Sequence, residues 1–228
     1  RLNEAMQKGE IDLAPASSLE YLARQDDYVL LPGLGIGAGT FARSVILFSK
    51  IKLENLNGAT VALSEESLSS ATLLKLLLKR RYGFKNEFET AAQDPAAVLK
   101  KYPAALMIGD AALFFESEDW VYKYDLGEMW REWTGEPFVF ALWTVKRDLA
   151  QKSPEQVAAF TEILSKNLAS NLANPEQLLK LALGMTPVEK RFAQALGFLV
   201  NLRYDLDERM IRGLLKFYEL AHEEGFAP

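Results

Sequence analysis

The sequence predicts an α/β fold that ends in a helical C-terminal tail. In the first two thirds of the chain, short apolar runs alternate with segments of helical periodicity. This alternation favours crossover units and a mainly parallel sheet. In the last third, four segments begin with residues that typically cap helices, and no strand pattern separates them.

The strands are predicted from runs of four to eight apolar or β-branched residues. These runs are Ile11–Ala14, Tyr28–Leu31, Ser44–Ser49, Thr60–Leu63, Glu87–Thr90, Ala104–Ile108 and Phe138–Val145. Helical periodicity predicts helices over Arg1–Lys8, Ser70–Tyr82 and Asp94–Lys101. In the tail, Ser-Pro, Asn-Pro, Thr-Pro and Asp-Leu starts predict helices over residues 154–170, 175–183, 187–200 and 206–223, with Gly184 and Gly225 as stops.

Three of the four tryptophans lie close together, between residues 130 and 143. Leu126, Met129, Trp130 and Trp133 recur at helical spacing, and Gly135 with Pro137 should then end the helix. The following strand is apolar except for one threonine, which is typical of a strand buried on both faces. Such an aromatic block either forms core or walls a small-molecule pocket.

Composition excludes several classes of protein. The chain has 228 residues and 49% hydrophobic residues, enough for one large domain or two small lobes. It has no cysteine, so disulfides, a thiolate nucleophile and a cysteine metal site are excluded. A net charge of −5 argues against nucleic acid as a partner. No apolar run approaches the roughly 20 residues of a membrane helix.

Two serine-rich turns follow predicted strands. Ser67, Ser69 and Ser70 precede one helix, and Ser17 and Ser18 precede another. A helix N-terminus exposes unpaired N–H groups, and nearby hydroxyls can complete a site for a carboxylate. The alternative is ordinary helix capping, for which serine is also favoured.

Few other residues are candidates for a catalytic or metal-binding role. Asp110 follows Gly109 at the end of a predicted strand, where it could be a base or cap the next helix. The single histidine, His222, is expected to complement the C-terminus of the last helix. The chain therefore lacks a catalytic triad and a histidine-rich metal site.

The sequence resembles chorismate dehydratases of the futalosine route to menaquinone. The resemblance is carried by four ordered motifs, namely Gly9–Ser18, Ser44–Lys50, Ile108–Leu113 and a block made of Leu126-Gly127, Trp130–Gly135 and Pro137–Trp143. It implies a two-lobed fold of the periplasmic-binding-protein type II, with ligand in the cleft between the lobes. The lobes would comprise residues 1–46 with 141–228, and 47–140, joined by strands near Ser44–Ser49 and Phe138–Val145.

The resemblance also implies an activity and a site. The expected enzyme is a cytoplasmic hydro-lyase that converts chorismate to 3-[(1-carboxyvinyl)oxy]benzoate without a metal or an organic cofactor. Ser44 would be catalytic, and the substrate would be bound by Ser17, Ser18, Ser67, Ser69, Ser70, Gly109 and Asp110. Family members begin with a strand and a loop that carries a functional asparagine, and we expect this segment to be absent from the chain.

Two other functions remain open at this stage. A solute-binding protein for a small carboxylate would have the same fold, and fold alone does not separate binding from catalysis. The related enzyme that cyclises dehypoxanthine futalosine relies on a mid-chain histidine. This sequence has no histidine there.

Overall fold

The computed structural model describes residues 2–64, 67–120, 122–184 and 190–227. Their helices and strands follow one another as α1 Leu2–Lys8, β1 Leu13–Ser17, α2 Ser18–Ala23, β2 Tyr28–Ala38, β3 Val45–Ser49, β4 Thr60–Ser64, α3 Leu68–Leu76, β5 Glu87–Ala91, α4 Pro95–Lys101, β6 Ala104–Ile108, α5 Asp110–Leu113, β7 Tyr122–Asp125, α6 Leu126–Thr134, β8 Phe138–Lys146, α7 Arg147–Lys152, α8 Pro154–Ala173, α9 Pro175–Leu183, α10 Lys190–Asn201, β9 Leu202–Asp205 and α11 Glu208–Glu223. A π-helical turn, Leu77–Arg81, extends α3. Arg1 and the predicted helix start at residues 187–189 lie outside the described residues.

Two sheets form the framework. The first has the order β1-β8-β2-β9, and the second has the order β5-β4-β6-β3-β7. All pairs in the first sheet are antiparallel, and the second sheet is mixed, so the prediction of a mainly parallel sheet is wrong. The reason is the same in both sheets. In the first sheet, β1 and β2 are parallel to each other, as a crossover unit requires, but β8 lies between them and is antiparallel to both. In the second sheet, β3 lies between the parallel strands β6 and β7 and is antiparallel to both.

The prediction that strands near Ser44–Ser49 and Phe138–Val145 join the two lobes is wrong. β3 pairs only within the second sheet and β8 only within the first, so neither strand spans the two lobes. The chain instead changes sheet between residues 38 and 45, and again through α6 between residues 125 and 138. The limits 1–46 with 141–228 and 47–140 stay a prediction.

One apolar core joins the two sheets. Phe138 of β8 and Phe217 of α11 share a buried cluster with Leu47 and Val61 of the second sheet. Trp130 lies fully buried in this cluster, with its ring edge-on to those of Phe138 at 5.5 Å and Phe217 at 6.2 Å. The central part of the aromatic block is therefore core and packs against residues of both sheets.

Close packing explains the glycine-rich end of β2. A Cβ atom on Gly37 would lie 2.3 Å from Met210 Cε and 2.5 Å from the Phe138 carbonyl oxygen. A Cβ atom on Gly213 would lie 2.0 Å from the Pro137 carbonyl oxygen. Helix α11 can pack this closely on the first sheet only because both positions lack a side chain. No described helix is long and apolar enough to cross a membrane.

Candidate active site

The turn after β1 places two serines at the start of α2. Ser17 is half-buried and precedes the helix, but its side chain does not cap α2. Ser18 is fully buried and donates a hydrogen bond to the Val139 carbonyl oxygen at 2.9 Å. Tyr218 of α11 donates to the Ser18 carbonyl oxygen at 2.6 Å, and burial raises the pKa of Tyr218 above its usual value. Plain capping therefore does not account for this pair.

The turn before α3 combines capping with a polar contact. Ser67 caps the helix by accepting a hydrogen bond from the Ser70 amide at 3.3 Å, so the capping interpretation holds for this residue. Its hydroxyl also donates to Ser70 Oγ at 2.8 Å. Ser70 is buried behind it, within the first turn of α3.

Ser69 joins the two turns directly. Its Oγ lies 2.5 Å from Ser17 Oγ and 3.0 Å from Ser18 Oγ, and it accepts a hydrogen bond from the Leu19 amide at 3.0 Å. The Ser69 amide donates to Ser17 Oγ at 3.2 Å. Two hydroxyl-rich turns predict that Ser67, Ser69 and Ser70 face Ser17 and Ser18 across a cleft. This is wrong for Ser69, which contacts both Ser17 and Ser18 directly. Their side chains are small enough for the turns to touch, and the hydroxyls satisfy one another's hydrogen bonds.

A cavity of about 580 Å³ lies beside this contact. Ser17 and Ser67 line it from the two turns, and Phe140 of β8 contributes an aromatic wall. We call this cavity the serine cleft. Ser18, Ser69 and Ser70 lie beneath its surface rather than on it.

Helix α1 and the start of α2 provide cleft residues that sequence reasoning missed. These residues are Asn3, Glu4, Gln7 and Glu20. Asn3 Oδ1 accepts a hydrogen bond from the Ser17 amide at 3.2 Å, and Gln7 Nε2 donates to Glu20 Oε1 at 2.8 Å. No motif marks them, because amide and acidic residues are ordinary on a helix surface.

The charge of the cleft limits how it can hold an anion. Its charged lining residues are Glu4 and Glu20, and no lysine or arginine lines it in the described part of the chain. Arg24 Nε lies 3.6 Å from Glu20 Oε1 and offsets part of that charge. An anionic ligand would therefore depend on hydroxyl, side-chain amide and backbone N–H donors.

Ser44 and Gly109 form a second group. The Gly109 amide donates a hydrogen bond to the Ser44 carbonyl oxygen at 2.9 Å, where the start of β3 meets the end of β6. Gly109 has φ +63°, a conformation that favours glycine at this turn. The Ser44 side chain is nearly buried, and its hydroxyl makes no hydrogen bond within the described residues. A ligand that reached this hydroxyl would therefore displace no hydrogen bond to a described residue.

Asp110 directly follows Gly109, but its side chain lines a different cavity from the serine cleft. It is exposed at the first residue of α5, and it does not cap the helix, because Gly109 occupies the cap position. It lines an apolar cavity of about 310 Å³ between α5, α9 and α10. Neither Ser44 nor Asp110 lines the serine cleft. His222 lies in the last turn of α11, as predicted, and no three His, Asp or Glu side chains of the described residues could hold a metal ion together.

Comparisons with known proteins assign the family. The profile of a protein family described as menaquinone biosynthesis matches residues 1–223. The chain belongs to this family. The chorismate dehydratase of Thermus thermophilus is 31% identical, over 96% of this chain and 82% of that protein. The resemblance found in the sequence is thereby confirmed.

Solved structures confirm the fold of this family member. A crystal structure of a protein from Archaeoglobus fulgidus matches with a TM-score of 0.77 and 23% identity, over 98% of this chain and 83% of that one. The periplasmic aliphatic sulphonate binding protein SsuA of Escherichia coli matches with a TM-score of 0.63 and 18% identity, over 100% of this chain and 79% of that one. The periplasmic-binding-protein type of fold is therefore confirmed.

The deep contact between the serine turns leads to a prediction about stability. Replacing Ser69 with alanine should lower the free energy of unfolding by about 1–3 kcal/mol, because the buried Leu19 amide loses its acceptor. Urea unfolding followed by circular dichroism measures this change. Ser165→Ala, which removes an exposed hydroxyl on α8, is the matched control and should change stability little. Equal stability of the two variants would show that the contact contributes nothing.

Proposed function

We propose that this protein dehydrates chorismate to 3-[(1-carboxyvinyl)oxy]benzoate, the first step of the futalosine route to menaquinone. The observation that carries the proposal is the match to a chorismate dehydratase along 96% of the chain. The proposal makes the protein a hydro-lyase and, as the family resemblance implies, places it in the cytoplasm.

The reaction does not require a strong general acid or general base from the protein. The ring hydroxyl and one ring proton leave as water, and the ring becomes aromatic, which supplies driving force. The protein must hold one conformer of the substrate and exclude competing water. We propose that a carboxylate of the substrate accepts the proton and that the Ser44 hydroxyl hydrogen-bonds the reacting region.

The substrate is a dianion, and neutral donors suit it here. Ser17, Ser18, Ser67, Ser69 and Ser70 bring hydroxyls to the two helix starts beside the serine cleft. We propose that those on the cleft surface bind one carboxylate and that the buried ones position them. Gly109 and Asp110 keep their proposed role as contacts near Ser44.

The direct test is incubation of the protein with chorismate and identification of the product by mass spectrometry. The expected product is lighter than chorismate by one water molecule and carries an aromatic ultraviolet spectrum. Heat-denatured protein serves as the control for spontaneous decay. Chorismate that stays intact with folded protein would overturn the proposal.

A second candidate is a binding protein that captures a small carboxylate. Its support is the fold, which matches sulphonate-binding proteins. Saturable binding of chorismate without turnover would favour this function. The futalosine-cyclising activity has less support, because the single histidine lies in the last turn of α11 and does not line the serine cleft.

A further inference from the structure

A second cavity, of about 450 Å³, is lined by residues of β3, α5, β7 and α6 and of the connection before β3. Its lining combines the cations Arg43 and Lys123 with the rings of Phe41, Phe48 and Phe115. We call it the basic aromatic cavity. It has no lining residue in common with the serine cleft.

Arg43 is held in an unusual backbone conformation. Its φ of +61° is the one positive value at a non-glycine residue in the described ranges. Asp125 fixes this conformation, since its carboxylate accepts hydrogen bonds from the Arg43 amide at 2.7 Å and the Ala42 amide at 2.9 Å. The Arg43 guanidinium lies against Gly197 of α10, where an added Cβ would be 3.1 Å from Nη1. Strain of this kind at a non-glycine residue is characteristic of functional positions.

Lys123 lies over the aromatic part of the cavity. Its Nζ is 5.4 Å from the centre of the Phe48 ring and 3.4 Å from the Phe115 carbonyl oxygen. The Phe48 and Phe115 rings meet edge to face at 5.4 Å. No side-chain nitrogen of Lys123 or Arg43 lies within 4 Å of a carboxylate oxygen of a described residue. The pKa of the Glu116 carboxyl is nevertheless lowered by the hydrogen bond from Lys190 and also by the nearby Lys123 charge.

Two acidic residues, Asp125 and Glu128, also line the cavity. Asp125 already accepts hydrogen bonds from four backbone amides, those of Ala42, Arg43, Gly127 and Glu128. Burial raises the pKa of Glu128 above its usual value, and the charges of Glu132 and Asp125 raise it further. The cavity thus contains two cations and two carboxylates, and the Asp125 carboxylate is already turned toward backbone N–H groups.

We propose that the basic aromatic cavity binds a small aromatic carboxylate at a site separate from the serine cleft. The carboxylate would pair with Arg43 and Lys123, and its ring would pack edge-on against Phe48 and Phe115. Aromatic packing distinguishes this ligand from simple anions, which need only the cations. The proposal does not depend on the reaction carried out by the protein.

Calorimetric titration with benzoate tests the site. The wild type should bind benzoate, and it should bind cyclohexanecarboxylate and the neutral benzamide several-fold more weakly. Lys123→Gln and Arg43→Asn should each raise Kd for benzoate by about tenfold, the effect of losing one charge-assisted hydrogen bond. Asparagine is chosen at position 43 because it tolerates positive φ. Lys100→Gln, at an exposed cation on α4, is the matched control.

Mapping by nuclear magnetic resonance locates the bound ligand. Benzoate should shift the backbone amide signals of Phe48, Phe115 and Lys123 and leave those of Ser17 and Ser67 unchanged. The proposal is overturned if the wild type does not bind benzoate, if both cavity variants bind as the wild type does, or if the shifts appear at the serine cleft.

Discussion

Replacing Ser44 with alanine is expected to lower kcat for chorismate dehydration by roughly 100-fold, with a much smaller change in KM. A donor that acts only on the transition state contributes about this much to the rate. The physical basis is a nearly buried hydroxyl that has no hydrogen-bond partner within the described residues and lies beside the Gly109 turn. Steady-state kinetics with chorismate measures both constants.

Two controls separate catalysis from folding in this experiment. The alanine variant should unfold at nearly the wild-type urea concentration, because the Ser44 side chain stabilises no described neighbour by a hydrogen bond. Ser44→Thr retains a hydroxyl and should recover part of kcat. A rise in KM alone would make Ser44 a binding residue, and unchanged kcat would remove it from the mechanism.

Replacing Asp125 with alanine should lower the free energy of unfolding by about 3 kcal/mol or more. Its carboxylate caps α6 through the amides of Gly127 and Glu128, and it also holds the Ala42 and Arg43 amides of the connection between the sheets. Loss of the carboxylate removes a helix cap and leaves buried donors without an acceptor. Urea unfolding gives the value.

The matched control for this experiment is Asp94→Ala. Asp94 caps α4 through the amides of Ala96 and Ala97, but its contacts are exposed and purely local. The control should cost about 1 kcal/mol, as a typical N-cap does. Equal losses for the two variants would mean that Asp125 acts only as a cap and does not secure the connection.

Local sequence signals predicted most elements well. The β6 range and the α9 range agree with the structure, because Pro103 and Gly109 bracket one, and Asn174 with Gly184 brackets the other. Strands β7 and β9 were missed. Each has only four residues, and charged residues interrupt both, so no apolar run marks them.

The pairing of strands that are far apart in the sequence could not be predicted. The sequence indicates that β3 and β8 are unusual strands, but not that each inserts in reverse between two parallel neighbours. That choice depends on packing between residues that are far apart in the chain. Gly37 illustrates the point. No local pattern marks this glycine as a packing position, whereas the structure uses it as the close contact between β2, β8 and α11.

The candidate site was predicted in part. Both serine turns were recognised from hydroxyls beside helix starts, and the family resemblance named Ser44 and Gly109 as site residues without indicating that they are neighbours. The hydrogen bond between the Ser17 and Ser69 hydroxyls was not predicted, since no local pattern encodes a contact between residues 52 positions apart. The separation of Asp110 from the serine cleft was missed for the same reason.

The insertion of β8 also dictates an order of assembly during protein synthesis. The second sheet is built from residues 45–125, a continuous stretch that leaves the ribosome as one block. The first sheet cannot be completed until β8 and then β9 have been made, although β1 and β2 are made first. Until β8 has been made, β1 and β2 therefore have unpaired edges, and such edges are prone to pair with other chains. Of the two sheets, the first is therefore the later one to be completed as the chain is made.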